Sequence, residues 1–143
     1  MSVNRCNSEG YHDPTAYEAL SKIESEVKAQ RGYRPLVYVC SPLSGDVERN
    51  TEKARRYCRF AVESGCIPLA PHLYFPQFMS DASSAERNLA LFMDTVLLSK
   101  CDEMWVFGGT ISKGMSIEIA KAKRKGQRIR WFSDGCKEVA PHA

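Results

Sequence analysis

Two acids stand where a folded chain would place apolar residues. Glu118 lies in Met115-Ser116-Ile117-Glu118-Ile119-Ala120, which is apolar almost all round, the pattern of a buried helix. A carboxylate there must be paired, hydrogen-bonded or turned toward a cavity. The pattern leaves a structural hydrogen bond and a functional role both open. Asp94 raises the same question in Leu91-Phe92-Met93-Asp94-Thr95-Val96-Leu97-Leu98, where its helical neighbours Ala90, Leu91, Leu97 and Leu98 are apolar. Two carboxyls placed this way suit glycosidic chemistry, in which one attacks the anomeric carbon and the other serves the departing group. Tyr38 points to one face of an apolar run, and its hydroxyl needs a partner if buried; an acid across the site would serve. Asp102, at the entrance to another apolar run, reads most simply as a cap on the preceding turn.

Two loops could hold an anion. Ser41-Pro42-Leu43-Ser44-Gly45-Asp46 is rich in small residues whose amides and hydroxyls suit an anion, although a plain turn has the same composition. Gly108-Gly109-Thr110-Ile111-Ser112-Lys113-Gly114 leads straight into the helix of Met115 and Glu118. The unbonded amides and dipole of a helix start favour phosphate or carboxylate. Neither loop is GxGxxG or GxxxxGK[ST], so neither a dinucleotide fingerprint nor a P-loop is present. His72, in Pro71-His72-Leu73, could donate to a phosphate or a base, or could be a structural histidine.

These residues fall at the ends of a regular alternation. Apolar runs at Leu36–Cys40, Cys66–Ala70, Glu103–Phe107 and Arg128–Phe132 read as strands. Between them, helices are expected from Asn50 or Thr51 to Ser64 before Gly65, from Ser83 or Ser84 to about Lys100, and over Gly114–Lys125. Residues 71–82, with two prolines and three aromatics, carry more apolar surface than a solvated loop. Alternation of this kind predicts a single-domain α/β fold, Rossmann-like of the flavodoxin-like type, with a parallel sheet covered by helices on both faces. Ligands on such sheets bind at the carboxyl ends of the strands, where the loops above lie. Ahead of this domain, spanning 34–143, residues 1–33 form an N-terminal arm and a helix from Pro14 to Gln30, set off by Gly32 and Pro35.

Composition narrows the function classes. A chain of 143 residues can bury a core without staples. A net charge of +3 is too small to argue for nucleic acid, and of the six basic residues from Lys121 to Arg130 four fall on the last turns of a helix, where cations favour the dipole. Six cysteines without a CxxC pair fit small apolar residues in a reducing cytoplasm, so neither disulfides, nor zinc, nor another cofactor is expected. The first residues, MSVNRCNSEGYHDP, lack the apolar stretch of a signal peptide, and no run approaches the ~20 residues of a membrane span. A cytoplasmic, soluble protein without a membrane partner is the expectation.

Read together, Tyr38-Val39-Cys40-Ser41-Pro42-Leu43-Ser44-Gly45, Pro71-His72, Asp94 ahead of Cys101-Asp102-Glu103, and Ser112-Lys113-Gly114-Met115-Ser116-Ile117-Glu118 resemble the nucleoside 2-deoxyribosyltransferase-like superfamily, and within it the DUF4406 type. The likeness covers about residues 34–132. It implies Glu118 as nucleophile, Tyr38 as the group that holds it, and Asp94 as the acid assisting the departing base. It also implies a small-molecule nucleotide or nucleoside ligand, with Ser41 to Gly45, His72, Gly108, Gly109, Ser112, Gly114 and Met115 around it, and a homodimer or larger homo-oligomer. The transferases carry an aspartate six residues before the nucleophile, where this chain has Ser112. The N-glycosidases that act on deoxynucleoside 5′-monophosphates have a serine there that helps bind phosphate. The resemblance thus favours a retaining, base-releasing hydrolase of a nucleoside 5′-monophosphate over a deoxyribosyltransferase. The first loop, SPLSG, departs from the hydrolase pattern. The same pocket without turnover would sense or sequester a nucleotide or an ADP-ribose-derived signal.

Overall fold

A computed structural model describes residues 14–80 and 82–141; the expected N-terminal arm and Cys6 lie outside the described residues. The elements, in chain order, are α1 (Pro14–Arg31), β1 (Leu36–Cys40), α2 (Val47–Glu63), β2 (Ile67–Leu69), α3 (Ser84–Leu98), β3 (Glu103–Phe107), α4 (Lys113–Arg124) and β4 (Arg128–Phe132). They fall into two units that divide between Arg34 and Pro35. In the first, α1 runs for 18 residues. Among the described residues, no helix is long and apolar enough to cross a membrane.

In the second unit all strand pairs are parallel and the sheet order is β2-β1-β3-β4. This is the expected flavodoxin-like arrangement. The chain moves outward from β1 to β2, then crosses back to β3, so β1 and β3 diverge at a topological switch point where a crevice opens beyond their carboxyl ends. Period-two alternation sorts the strand residues onto two faces. Val37, Val39, Trp105, Phe107 and Phe132 pack with Tyr57 and Ala61 of α2. Tyr38, Cys40, Met104 and Val106 pack with Leu98 of α3 and with Met115, Ile119 and Ala122 of α4. Both faces are therefore covered by helices, and the central strands are buried on both sides, as a parallel sheet requires.

Local boundaries differ from the sequence reading for identifiable reasons. Helix α2 begins at Val47 because Asp46, not Asn50 or Thr51, is its cap, its Oδ1 accepting the Arg49 amide at 3.2 Å. Asn50 instead turns back and donates from Nδ2 to the carbonyls of Leu43 and Ser44 at 3.1 and 3.0 Å, bracing the loop after β1. Strand β2 is shorter than expected, Ile67–Leu69, and begins two residues after Gly65, whose φ of +84° reverses the chain leaving α2. Residues 71–77 are two short 3-10 turns, Pro71–Leu73 and Phe75–Gln77, each led by a proline near its start. Asp102 ties β1 to β3: its amide donates to the Leu36 carbonyl and its Oδ2 accepts the Leu36 amide, both at 2.8 Å. The five described cysteines, Cys40, Cys58, Cys66, Cys101 and Cys136, are free thiols.

Candidate active site

The switch point holds a cavity of about 740 Å³. Four segments build it. The loop after β1 contributes Ser41, Leu43 and Ser44; the segment after β2 contributes His72, Phe75 and Met79; α3 contributes Arg87, Leu91 and Asp94; and the start of α4 contributes Ser112 through Met115, then Ile117 and Glu118. The sequence places these groups there through short-range geometry. Arg87, Leu91 and Asp94 recur at helical spacing on one face. Ser112 caps α4 by accepting the Met115 amide on Oγ at 3.2 Å, and the first amides of a helix have no intrahelical partners.

Glu118 is 8% exposed and is bonded on both oxygens. Tyr38, itself 1% exposed, donates its hydroxyl to Oε2, and the Cys40 thiol approaches Oε1 at 3.7 Å. Burial pushes the Glu118 carboxyl up to about 7; the Tyr38 bond opposes this, the Asp94 charge adds to it, and the Cys40 contact opposes it weakly. Burial also holds the Tyr38 hydroxyl far above its ordinary range, so it remains a donor. Asp94 is pushed up to about 6 by burial, and its Oδ1 is enclosed without a hydrogen-bond partner. An enclosed oxygen of that kind is expensive unless something arrives to bond it. The two acids thus meet one cavity, both protonated far more readily than ordinary carboxyls.

His72 contacts Ser41, Nε2 to Oγ at 2.9 Å. Burial lowers its pKa to about 4, so at neutral pH it is an uncharged hydrogen-bonding group and supplies no positive charge to a phosphate. Cationic side chains lining the cavity are Arg87 and Lys113.

Of the residues singled out in the sequence, Ser41, Leu43, Ser44, His72, Asp94, Ser112, Gly114, Met115 and Glu118 line this one cavity, with Tyr38 bonded to Glu118 from beneath. Pro42 and Gly45 belong to the same loop but do not line it. Gly108 and Gly109 are displaced from the expected place. They border a separate hollow with Ser133, Asp134 and Gly135. The Gly108 amide continues the β3–β4 ladder by donating to the Phe132 carbonyl at 3.0 Å, and a φ of +95° turns the chain toward Asp134. A Cβ on Gly108 would meet Asp134 Oδ1 at 3.1 Å. Gly108 thus makes a close backbone turn, and both glycines lie beside a different hollow from the one that Glu118 and Asp94 share.

The sequence reading missed Cys40 and Arg87. Both had a signal: Cys40 is two residues from Tyr38 and so shares its strand face, and Arg87 stands seven residues before Asp94 on the same helix face.

A family model described as "Domain of unknown function (DUF7768)" matches residues 35–132, the span that carries the whole sheet and the cavity. No curated protein matches the chain in sequence. Among solved structures, a 2-deoxyribosyltransferase from the psychrotolerant bacterium Bacillus psychrosaccharolyticus superposes with a TM-score of 0.54 at 17% identity, over 74% of this chain and 77% of that one. A 2-desoxiribosyltransferase from Leishmania mexicana gives 0.51 at 14% identity, over 74% and 79%. At such identities the likeness is one of fold.

Proposed function

The chain belongs to the DUF7768 family, and from that premise and its cavity we propose that it cleaves the N-glycosidic bond of a nucleoside 5′-monophosphate, releasing the base with retention at the sugar. One observation carries the reading: a buried Glu118, held on both oxygens by β1, shares a cavity with Asp94, a second acid whose enclosed oxygen has no partner. A structural acid would not need that company. The shared fold with two 2-deoxyribosyltransferases supports the same class of bond.

In the proposed cycle the Glu118 carboxylate attacks the anomeric carbon as the carbon–nitrogen bond breaks, and the bonding pair leaves with the base. The Asp94 carboxyl, raised to about 6, delivers a proton to the departing nitrogen. The resulting ester on Glu118 is opened by water, which gives its proton back to Asp94, and Glu118 returns as carboxylate. Two inversions give net retention. Tyr38 keeps the carboxylate fixed between the steps. Because Glu118, at about 7, must be ionised while Asp94, at about 6, is protonated, the reactive form is the minor one of the two singly protonated forms, and turnover follows a bell-shaped pH profile centred between about 6 and about 7. The phosphate would sit between the loop after β1 and the start of α4, with Lys113 as its cation and Ser112 and the helix amides as donors.

The test is incubation of the protein with a panel of nucleosides and nucleotides, followed by chromatography for free base. Base release from a monophosphate that depends on Glu118 supports the reading. Tight binding with no release from any member of the panel would replace hydrolysis with a sensing or sequestering role.

A further inference from the structure

Tyr38 and Cys40 stand two residues apart on β1, so both side chains leave the same face of the strand. β1 is an inner strand, paired to β2 on one side and β3 on the other, which makes it a rigid platform. Above it α4 lowers Glu118 so that each carboxylate oxygen meets a different donor: the Tyr38 hydroxyl at Oε2 and the Cys40 thiol at Oε1. Tyrosine alone would leave the carboxylate free to swing about its terminal bond. Two donors on one strand remove that rotation. They are also unequal, because a thiol is a weak donor and a phenol a strong one.

We propose that Cys40 is a positioning residue for Glu118, whose thiol fixes the plane of the carboxylate while leaving Oε1 as the attacking oxygen. This rests on the reading of Glu118 as the nucleophile. A stronger donor at that place would stabilise the charge on Oε1 and blunt its attack. No donor would leave the oxygen unaligned. The thiol occupies the middle ground, and burial keeps it in the S–H form by holding it well above its ordinary range. The other titratable groups around Glu118 are Tyr38 beside Cys40 on β1 and Asp94 on α3, with His72 lining the same cavity after β2. None of them reaches Oε1 in place of Cys40.

The experiment follows the Glu118 carboxyl directly, by isotope-edited infrared or carbon NMR, with the signal assigned by its loss in Glu118→Gln. It compares wild type with Cys40→Ala and Cys40→Ser. The titration midpoint should rise in Cys40→Ala and fall in Cys40→Ser, each by on the order of half a pH unit, because a donor to the charged form has been removed or strengthened. With Cys40 left in place, its S–H stretch, assigned by its loss in Cys40→Ala, should shift when Glu118 is replaced by glutamine. With turnover measured in parallel, both cysteine variants should lose kcat several-fold with KM unchanged. Unmoved midpoints together with an unshifted S–H band overturn the proposal. Midpoints and band that move as stated, in a protein that releases no base, leave the thiol's hold on Glu118 standing and remove the glycosidase reading instead.

Discussion

The two faces of the sheet are made by the same strands and have opposite characters. On the α2 face, Tyr57 stacks on Phe107 at 4.3 Å, Phe107 stacks on Phe132 at 5.1 Å, and Phe60 packs edge-on against both. Its polar groups stay at the rim, where the Arg130 guanidinium lies 4.9 Å over Trp105 and pairs with Glu138. The α3/α4 face mixes two aromatics, Tyr38 and Trp131, with softer side chains, Cys40, Met104 and Met115, and carries Glu118 next to an open cavity. Val39 and Cys40 are adjacent in sequence, yet one serves the closed face and the other the acid. A parallel sheet thus divides its labour by parity, with one set of alternate residues supplying cohesion and the other holding the buried acid in place.

The largest effect expected from this division is on activity. Glu118→Ala should lower base release by at least ~10³-fold, because a double displacement has no substitute for its nucleophile. The fold should survive, since the change removes a carboxyl that burial disfavours. Single-turnover release of base, with circular dichroism as the control for folding, checks both halves. Activity retained by a folded variant would exclude the mechanism.

On the closed face the balance reverses. Phe107→Ala should lower stability by roughly 3–5 kcal/mol, the range for emptying a large aromatic from a packed core. Phe107 is fully buried and touches three other aromatic rings. The Glu118 titration midpoint should stay where it is. Urea unfolding measures the first quantity and the carboxyl signal the second. A loss below about 1 kcal/mol, or a displaced midpoint, would mean that the faces are not independent.

The same contrast explains what was legible in the sequence. The limits of β1 and β3 follow from short apolar runs buried on both sides, a signal that local pattern carries well, whereas the edge strand β4 is buried only in its second half. Glu118 and Asp94 stood out because each is an acid inside an apolar helix. What escaped depends on partners distant in sequence. Gly108-Gly109 has the composition of a phosphate cradle, but the Gly108 amide is engaged by Phe132, 24 residues on. Asp46 and Asn50 are equally good caps by type; only the fold of the loop after β1 sends Asn50 back to Leu43 and Ser44 and leaves the cap to Asp46. The neutrality of His72 comes from its burial, which residue type cannot announce.

Burial of an acid also leaves a mark on stability. The Glu118 carboxyl titrates near 4.5 when free and at about 7 in the folded chain, so the folded state holds this proton more tightly than the unfolded state. Ionising it costs folding free energy progressively as pH rises from about 4.5 to about 7, with no further loss above. Asp94 acts in the same direction over a lower window. Glu118→Gln keeps an acceptor for Tyr38 and removes the titration. Relative to wild type it should gain on the order of 2 kcal/mol between pH 5 and pH 8. Urea unfolding at the two pH values decides it, and a constant difference would mean that the buried carboxyl is not destabilising when charged.

The smallest effect concerns the cavity's outer end, where chemistry gives way to recognition. Ser112 accepts the Met115 amide and starts α4. Aspartate is an equally good cap, and its charge suits a helix N-terminus, so Ser112→Asp should leave the fold undisturbed. What changes is the ligand. The serine leaves the helix amides and Lys113 available to a 5′-phosphate, whereas an aspartate would repel that phosphate and could accept a bond from a free 5′-hydroxyl. Each charged contact contributes on the order of 1 kcal/mol, so monophosphate binding should weaken by roughly tenfold or more while nucleoside binding holds or improves. Calorimetry with both ligands on both proteins gives four affinities. Equal losses for the two ligands, or a wild-type preference for the unphosphorylated one, would show that the switch point grips a sugar and a base but no phosphate.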